Sequence, residues 1–114
     1  MNDLLKKKCL PCEGGVTPFD ISEIHKYQKK VDGWEIVKNQ KNIFFLVKNF
    51  KFKNFVDSQS FVNQVGQISE EEGHHPDIKF GWGYATISIT THAIEGLSEN
   101  DFILAAKIDK KTNV

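Results

Sequence analysis

Arginine is absent from this chain of 114 residues, and its fifteen basic side chains are all lysines. They are balanced by fifteen acidic side chains, so the formal net charge is zero. Direct readout of DNA bases relies heavily on arginine, and binding to a phosphate backbone needs a net positive field. The composition therefore disfavours a nucleic-acid-binding protein. It also excludes bidentate capture of a phosphate or carboxylate substrate by arginine.

Long apolar runs and a secretory signal are lacking as well. No stretch approaches the roughly 20 apolar residues of a membrane-spanning helix. The first fifteen residues contain lysines but no apolar core and no cleavage-like site. We therefore expect a cytoplasmic protein that makes no use of the membrane, and the length limits it to one domain.

Cysteine is scarce, with Cys9 and Cys12 forming a single C-x-x-C pair. A structural zinc site usually needs four ligands, and a thioredoxin-like motif needs a βαβ context that does not follow here. We expect two reduced thiols in a flexible leader of residues 1–17, followed by one domain of residues 18–114. A metal shared between subunits is the alternative for this pair.

Two capping patterns and one apolar stripe predict three helices. Asp20 with Glu23 three residues later forms a capping-box pattern, as does Ser98 with Asp101 at the third helical position. The predicted helices cover residues 21–30, residues 54–71 and a last segment that begins at residue 98. In the first helix we expect Ile21 to face inward.

Strand-like segments form two predicted hairpins, which cover residues 34–38 with 43–49 and residues 77–82 with 84–91. In the second strand Ile43, Phe45 and Val47 share one face, whereas Phe44 and Leu46 share the other. A strand that is apolar on both faces indicates that its outer face meets another subunit. The order αββαββα predicts an α+β domain, with a four-stranded antiparallel sheet and three helices packed on one face.

Three of the four histidines lie at the ends of the second hairpin. His74 and His75 precede its first strand, and His92 follows its second strand, so an antiparallel pairing brings them together. Gly73 and Pro76 shape the connection between them. Imidazole suits proton transfer near neutral pH, because its unperturbed pKa is about 6.5.

Two alternative roles for these histidines stay open. A three-histidine metal site is one, although no helical H-x-x-x-H pair supports it. Surface histidines without a function are the second. His25 lies among lysines on the first predicted helix, and we expect it to be solvated.

The chain resembles the pterin-4a-carbinolamine dehydratase family over about residues 9 to 110. The residues that carry the resemblance are Glu71–Asp77 (EEGHHPD), Thr90–His92 (TTH), Gly96–Phe102 (GLSENDF), Ala105–Asp109 (AAKID), Cys12–Gly15 (CEGG) and Gly33–Trp34. HHP followed by TH and GLSxxD at these spacings is far more specific than any single motif.

The resemblance implies an enzyme that dehydrates 4a-hydroxytetrahydrobiopterin to quinonoid dihydrobiopterin and so recycles pterin for aromatic amino acid hydroxylases. It implies no metal and no cofactor, and it implies assembly into homodimers or homotetramers. Animal relatives also act as dimerisation cofactors of a transcription factor, so a protein-binding module is the alternative function.

The resemblance also implies which residues form the site. The family's essential histidines correspond to His74, His75 and His92, and we expect His74 and His92 to transfer protons while His75 mainly binds substrate. The residues with implied substrate-binding roles are Gly73, Pro76, Thr90, Thr91, Ala93 and Asp101. Some family members carry an acidic residue where this chain has Gly73, so any carboxylate role there is absent or passes to a neighbouring glutamate. Asp101 has two interpretations of equal weight, as a site residue and as a helix cap.

Overall fold

The structure is a computed structural model that describes residues 3–10 and 17–112. Seven main elements follow in the order α1, β1, β2, α2, β3, β4 and α3. Their bounds are Ile21–Gln28, Glu35–Lys38, Phe44–Lys51, Phe55–Glu72, Asp77–Gly81, Tyr84–Ile89 and Glu99–Thr112, and short 3₁₀ helices cover Asp3–Lys6 and His92–Ile94. The predicted α+β class and the αββαββα order are confirmed.

The four strands form one antiparallel sheet in the order β1-β2-β4-β3. Each predicted hairpin is present, and the two hairpins join through β2 and β4, where Leu46 lies opposite Ile89. The tight turn of the second hairpin contains Gly83 at φ 80°, a left-handed conformation that glycine adopts without a steric penalty. This register also places the first residue of β3, Asp77, opposite Ser88 near the end of β4.

One face of the sheet carries the core. Leu46, Ile87 and Ile89 are fully buried there, against α2 and α3. Burying a side chain of this size contributes about 1.5–3 kcal/mol. Phe45 and Val47 lie on the other face and are only partly buried, which confirms the predicted division of β2 into two apolar faces.

Helix α1 begins at the predicted cap, because the Asp20 carboxylate accepts a hydrogen bond from the Glu23 N–H at 2.9 Å. The helix ends at Gln28, two residues earlier than predicted. The inward orientation predicted for Ile21 is wrong, since this side chain is 49% exposed. Phe19, which stacks near Tyr27 with 4.9 Å between ring centroids, packs against the core in its place.

Residues 3–10 of the predicted flexible leader are docked on the domain, whereas residues 1–2 and 11–16 of that leader lie outside the described residues. Leu4 is fully buried in the core, and the short helix Asp3–Lys6 contacts α3. The run Phe102–Ala106 of α3 is apolar and buried, so it offers an apolar surface to this segment as well as to the rest of the core. Cys9 is buried too, whereas Cys12 lies outside the described residues.

The described helices include none that is both long and apolar enough to cross a membrane.

Candidate active site

A cavity of about 270 Å³ opens at the end of the β3–β4 hairpin. Its lining contains the three histidines that the sequence places at this end, and the full set is Leu10, Gly73, His74, His75, Thr90, Thr91, His92 and Ala93. The structure therefore brings together seven of the nine predicted site residues in one pocket. Asp101 lies behind His74, and Pro76 does not line the cavity.

Local backbone geometry brings these residues close together in space. Helix α2 ends at Glu72, and the left-handed conformation of the capping residue Gly73 (φ 65°) turns the chain towards β3. The His74 N–H donates to the Ser69 carbonyl at 3.1 Å, which fixes the start of the connection. On the other side, a bridge between Thr91 and Gly96 closes the short loop that carries His92.

His74 is paired with the buried carboxylate of Asp101. Nε2 of His74 lies 2.7 Å from Oδ1 of Asp101, and the two side chains are 11% and 0% exposed. The second oxygen, Oδ2, accepts hydrogen bonds from the Thr91 hydroxyl at 2.7 Å and the Ser98 N–H at 2.8 Å. Asp101 thus caps α3 and supports the site at once, so the two interpretations of this residue hold together.

The carboxylate of Asp101 also selects a tautomer for His74. An ionised carboxylate can only accept hydrogen bonds, so the proton between the two groups belongs to Nε2 of the imidazole. In a neutral ring the other nitrogen, Nδ1, then keeps a free lone pair. This arrangement gives His74 the form of a positioned base.

The other two pocket histidines are exposed. The His75 side chain is 58% exposed and its Nε2 contacts the carboxylate of Glu70, which is itself 77% exposed. Glu70 is thus a partner of a pocket histidine that the sequence alone does not single out among Glu70, Glu71 and Glu72. His92 lies in its 3₁₀ helix between the pocket and a second cavity of about 480 Å³.

The two threonines use their hydroxyls inside the protein. Thr90 donates to the Phe44 carbonyl at 2.8 Å, and Thr91 donates to Asp101. Both residues are buried. Their side chains therefore hold the pocket wall in place, and Ala93 and Gly73 offer the pocket little beyond their backbones.

Leu10 is the lining residue that the sequence analysis missed. It belongs to the segment of residues 3–10, which was expected to be a flexible leader. In the sequence, Leu10 is marked only by its apolar side chain, which directly follows three lysines and Cys9.

Three further groups bear on the chemistry of the site: the Cys9 thiol, possible metal ligands and His25. Burial, reinforced by the nearby negative charge of Glu72, raises the pKa of Cys9 to about 12, so this thiol stays protonated and is a poor nucleophile. Within residues 3–10 and 17–112, no group of three or more His, Cys, Asp or Glu side chains has a geometry that could hold a metal ion. His25 is exposed on α1, as predicted.

Comparison with known proteins identifies the family. Residues 17–111 match the model of the family described as pterin 4 alpha carbinolamine dehydratase. The chain belongs to this family.

Relatives in this dehydratase family match nearly the whole chain. A protein of Rubrobacter xylanophilus named "putative pterin-4-alpha-carbinolamine dehydratase" is 46% identical over 110 residues, covering 96% of this chain and 99% of its own. A protein of Halorhodospira halophila with the same name is 49% identical over 106 residues, covering 93% and 94%.

Solved structures extend the comparison to the fold. A Brucella melitensis protein described as a transcriptional coactivator/pterin dehydratase superposes with a TM-score of 0.74 at 26% identity, covering 82% of this chain and 97% of its own. A pterin dehydratase-like protein described as a RuBisCO assembly factor of the alpha-carboxysome reaches a TM-score of 0.58 at 26% identity, covering 68% and 87%. The dehydratase fold thus occurs in proteins with different descriptions.

Proposed function

We propose that this protein dehydrates 4a-hydroxytetrahydrobiopterin to quinonoid dihydrobiopterin and water in the histidine pocket, which recycles pterin for aromatic amino acid hydroxylases. The observation that carries the proposal is the imidazole of His74, held by a buried carboxylate at the wall of a pocket that two further histidines share. Membership of the dehydratase family supports the same substrate class.

The reaction needs one base and one acid. The C4a–O bond breaks and its electron pair leaves with the oxygen, which takes up a proton and departs as water. N5 loses its proton, and the electrons of the N–H bond form the new C4a=N5 double bond. The substrate is uncharged and carries no phosphate, so a pocket without arginine is compatible with it.

The residues of the pocket can supply both proton transfers. His74 removes the N5 proton through Nδ1, and Asp101 stabilises the imidazolium that results. His92 delivers the proton to the leaving hydroxyl, while His75 mainly binds the substrate. Each positioned acid or base typically contributes about 10²–10⁴-fold, or roughly 3–5 kcal/mol. No step requires a metal or a cofactor.

The remaining aspects of the proposal concern the setting of the enzyme. The protein acts in the cytoplasm, without nucleic acid or membrane partners, as a homodimer or homotetramer. The half-buried Phe45 and Val47 on the outer face of β2 support self-association, because they leave an apolar surface that a second copy can cover.

A second candidate function is a protein-binding module that acts as a dimerisation cofactor or transcriptional coactivator. The description of the Brucella melitensis structure as a coactivator favours it. Mass measurement in solution followed by a pull-down separates the candidates: a monodisperse homo-oligomer that captures no protein speaks against the module.

Stopped-flow spectroscopy of freshly formed 4a-hydroxytetrahydrobiopterin tests the enzymatic proposal. We expect wild-type protein to accelerate its decay over buffer, and we expect His74→Ala and His92→Ala to lower kcat/KM by at least about 10²-fold. His25→Ala is the matched control, because it makes the same substitution at an exposed histidine outside the pocket. Wild-type decay no faster than in buffer would refute the proposal.

A further inference from the structure

We propose that Leu10, held in place by the N-terminal arm of residues 7–10, forms part of the wall of the pterin pocket, contacts the substrate ring and contributes to specificity. This inference rests on the proposed dehydratase function. It assigns a substrate-contacting role to a segment whose sequence indicates only a polar leader.

The position of Leu10 is fixed by its backbone. The Leu10 N–H donates to the side-chain oxygen of Asn100 at 3.0 Å, and the Asn100 amide donates back to the Leu10 carbonyl at 2.7 Å. One asparagine side chain thus satisfies both backbone polar groups of Leu10. A residue that is clamped in this way presents its side chain in a defined direction.

The residues before Leu10 are anchored as well. The Cys9 N–H donates to the Glu72 carboxylate at 2.9 Å, and the Cys9 thiol donates to the Asn100 carbonyl at 3.4 Å. The Lys8 ammonium reaches the Glu71 carbonyl at 2.9 Å. The arm is therefore held by both α2 and α3. These two helices also position the histidine site, because His74 closely follows α2 and its partner Asp101 belongs to α3.

The exposed side chain of Leu10 indicates what kind of ligand the arm can bind. Although its backbone is clamped, Leu10 is 72% exposed, and it lines the pocket together with the histidines and threonines. An apolar side chain fixed in that position loses water contact only when a ligand covers it. A flat, uncharged bicyclic ring fits this requirement, because its face packs on an aliphatic side chain while its edges meet hydrogen-bonding groups.

A contact with the ring face predicts a particular kinetic signature. The face of the ring is present in the substrate and in the transition state alike, so Leu10 stabilises both equally and acts on KM rather than on kcat. We expect Leu10→Ala to raise KM about five- to tenfold and to leave kcat within about twofold. Leu10→Met, which keeps an apolar side chain of similar volume, should restore KM to within about twofold of wild type.

Two further variants separate a pocket wall from a general structural role. Ile21→Ala removes the same number of carbon atoms from an exposed side chain on α1, outside the pocket, and should leave KM unchanged. Asn100→Ala releases the clamp and should raise KM to a similar extent as Leu10→Ala. In a Leu10→Ala background the Asn100 change should add less than about twofold, because both act through the same contact.

A binding measurement distinguishes failure of this inference from failure of the proposed function. In a titration with 7,8-dihydrobiopterin, we expect the Leu10 methyl NMR signals to shift, while those of buried Leu4 stay in place. An active wild type with unchanged KM in Leu10→Ala would overturn the inference alone. An inactive wild type whose Leu10 methyls shift, and whose Kd weakens in Leu10→Ala, would support the wall and refute the dehydratase reaction. A wild type that neither reacts nor shows these shifts would overturn both.

Discussion

His74 and His75 are neighbours in the chain, yet the protein places them in opposite surroundings. The side chain of His74 is 11% exposed and contacts a carboxylate that is completely buried. The side chain of His75 is 58% exposed and contacts Glu70, a carboxylate that is 77% exposed. The same residue type, in the same connection between α2 and β3, therefore has one partner fixed by the core and one partner surrounded by water.

This difference teaches that the partner decides what a histidine can do. Asp101 is itself fixed by Thr91 and Ser98, so it holds the His74 ring in one orientation and one tautomer. Glu70 has a long, exposed side chain, and exposed ion pairs typically contribute only about 0–1 kcal/mol. His75 is suited to adapt to a bound substrate, whereas His74 is suited to transfer a proton.

Replacement of the buried carboxylate should have the largest effect on this comparison. In Asp101→Asn the amide can donate to Nε2 of His74, which moves the ring proton to Nδ1 and removes the free lone pair. We expect kcat/KM to fall by about 10²–10³-fold. Glu70→Gln makes the same carboxylate-to-amide change at the exposed pair and should alter kcat/KM less than about threefold. Stopped-flow rates of both variants, compared after circular dichroism has verified folding, check this prediction; equal losses would remove the distinction between the two histidines.

The comparison between buried and exposed pairs extends to stability. Glu72 lies 2.5 Å from Lys107, and their side chains are 9% and 21% exposed. Desolvation pushes the pKa of Glu72 upward, but hydrogen bonds from Lys107 and from the Cys9 N–H outweigh it and hold the pKa below its ordinary value. The charged form of Glu72 therefore stabilises the fold above the pKa that it has in the unfolded chain, and this contribution is lost as the pH falls through the lower pKa of the folded state.

We expect Glu72→Gln to lower the free energy of unfolding by about 1–2 kcal/mol at pH 7. The difference from wild type should shrink as the pH is lowered through the acidic range, because wild-type Glu72 then becomes neutral. Urea denaturation at pH 7 and at pH 3 measures both values. Glu99→Gln provides the control at a more exposed pair with Lys7, where the two side chains are 34% and 45% exposed and the loss should be below about 1 kcal/mol. A pH-independent loss in Glu72→Gln would contradict a stabilising role for the Glu72 charge.

The smallest expected effect concerns His75 itself. Because its ring is exposed and its proposed role is mainly to bind substrate, His75→Ala should raise KM about three- to tenfold with little change in kcat. Steady-state kinetics at several pterin concentrations separate the two parameters. A fall in kcat comparable to that of His74→Ala would assign proton transfer to both His74 and His75 and would contradict the proposed difference between them.

Much of this arrangement follows from local sequence rules. The capping patterns at Asp20 and Ser98 predict the starts of two helices, and alternation along β2 predicts which of its residues share a face. The position of three histidines at the ends of one hairpin predicts their convergence, because antiparallel pairing brings those ends together.

The remaining features depend on contacts between distant parts of the chain. Nothing near His74 or His75 in the sequence shows that one faces a buried carboxylate 27 residues away and the other an exposed one five residues away. Residues 3–10 dock on α2 and α3, which are distant in the sequence, whereas the polar and glycine-bearing composition of residues 1–17 predicts only a flexible leader. Ile21 occupies a position that helical spacing would bury, yet Phe19 packs against the core instead.

The central claim is that His74 transfers a proton and that Asp101 acts through it. A double-mutant cycle on kcat/KM tests this most directly, with His74→Ala, Asp101→Asn and the combined variant measured by stopped-flow decay of 4a-hydroxytetrahydrobiopterin. We predict that Asp101→Asn costs about 10²–10³-fold in wild type but less than about threefold when His74 is already alanine. A combined variant whose loss in kcat/KM equals the product of the two single losses would contradict the account.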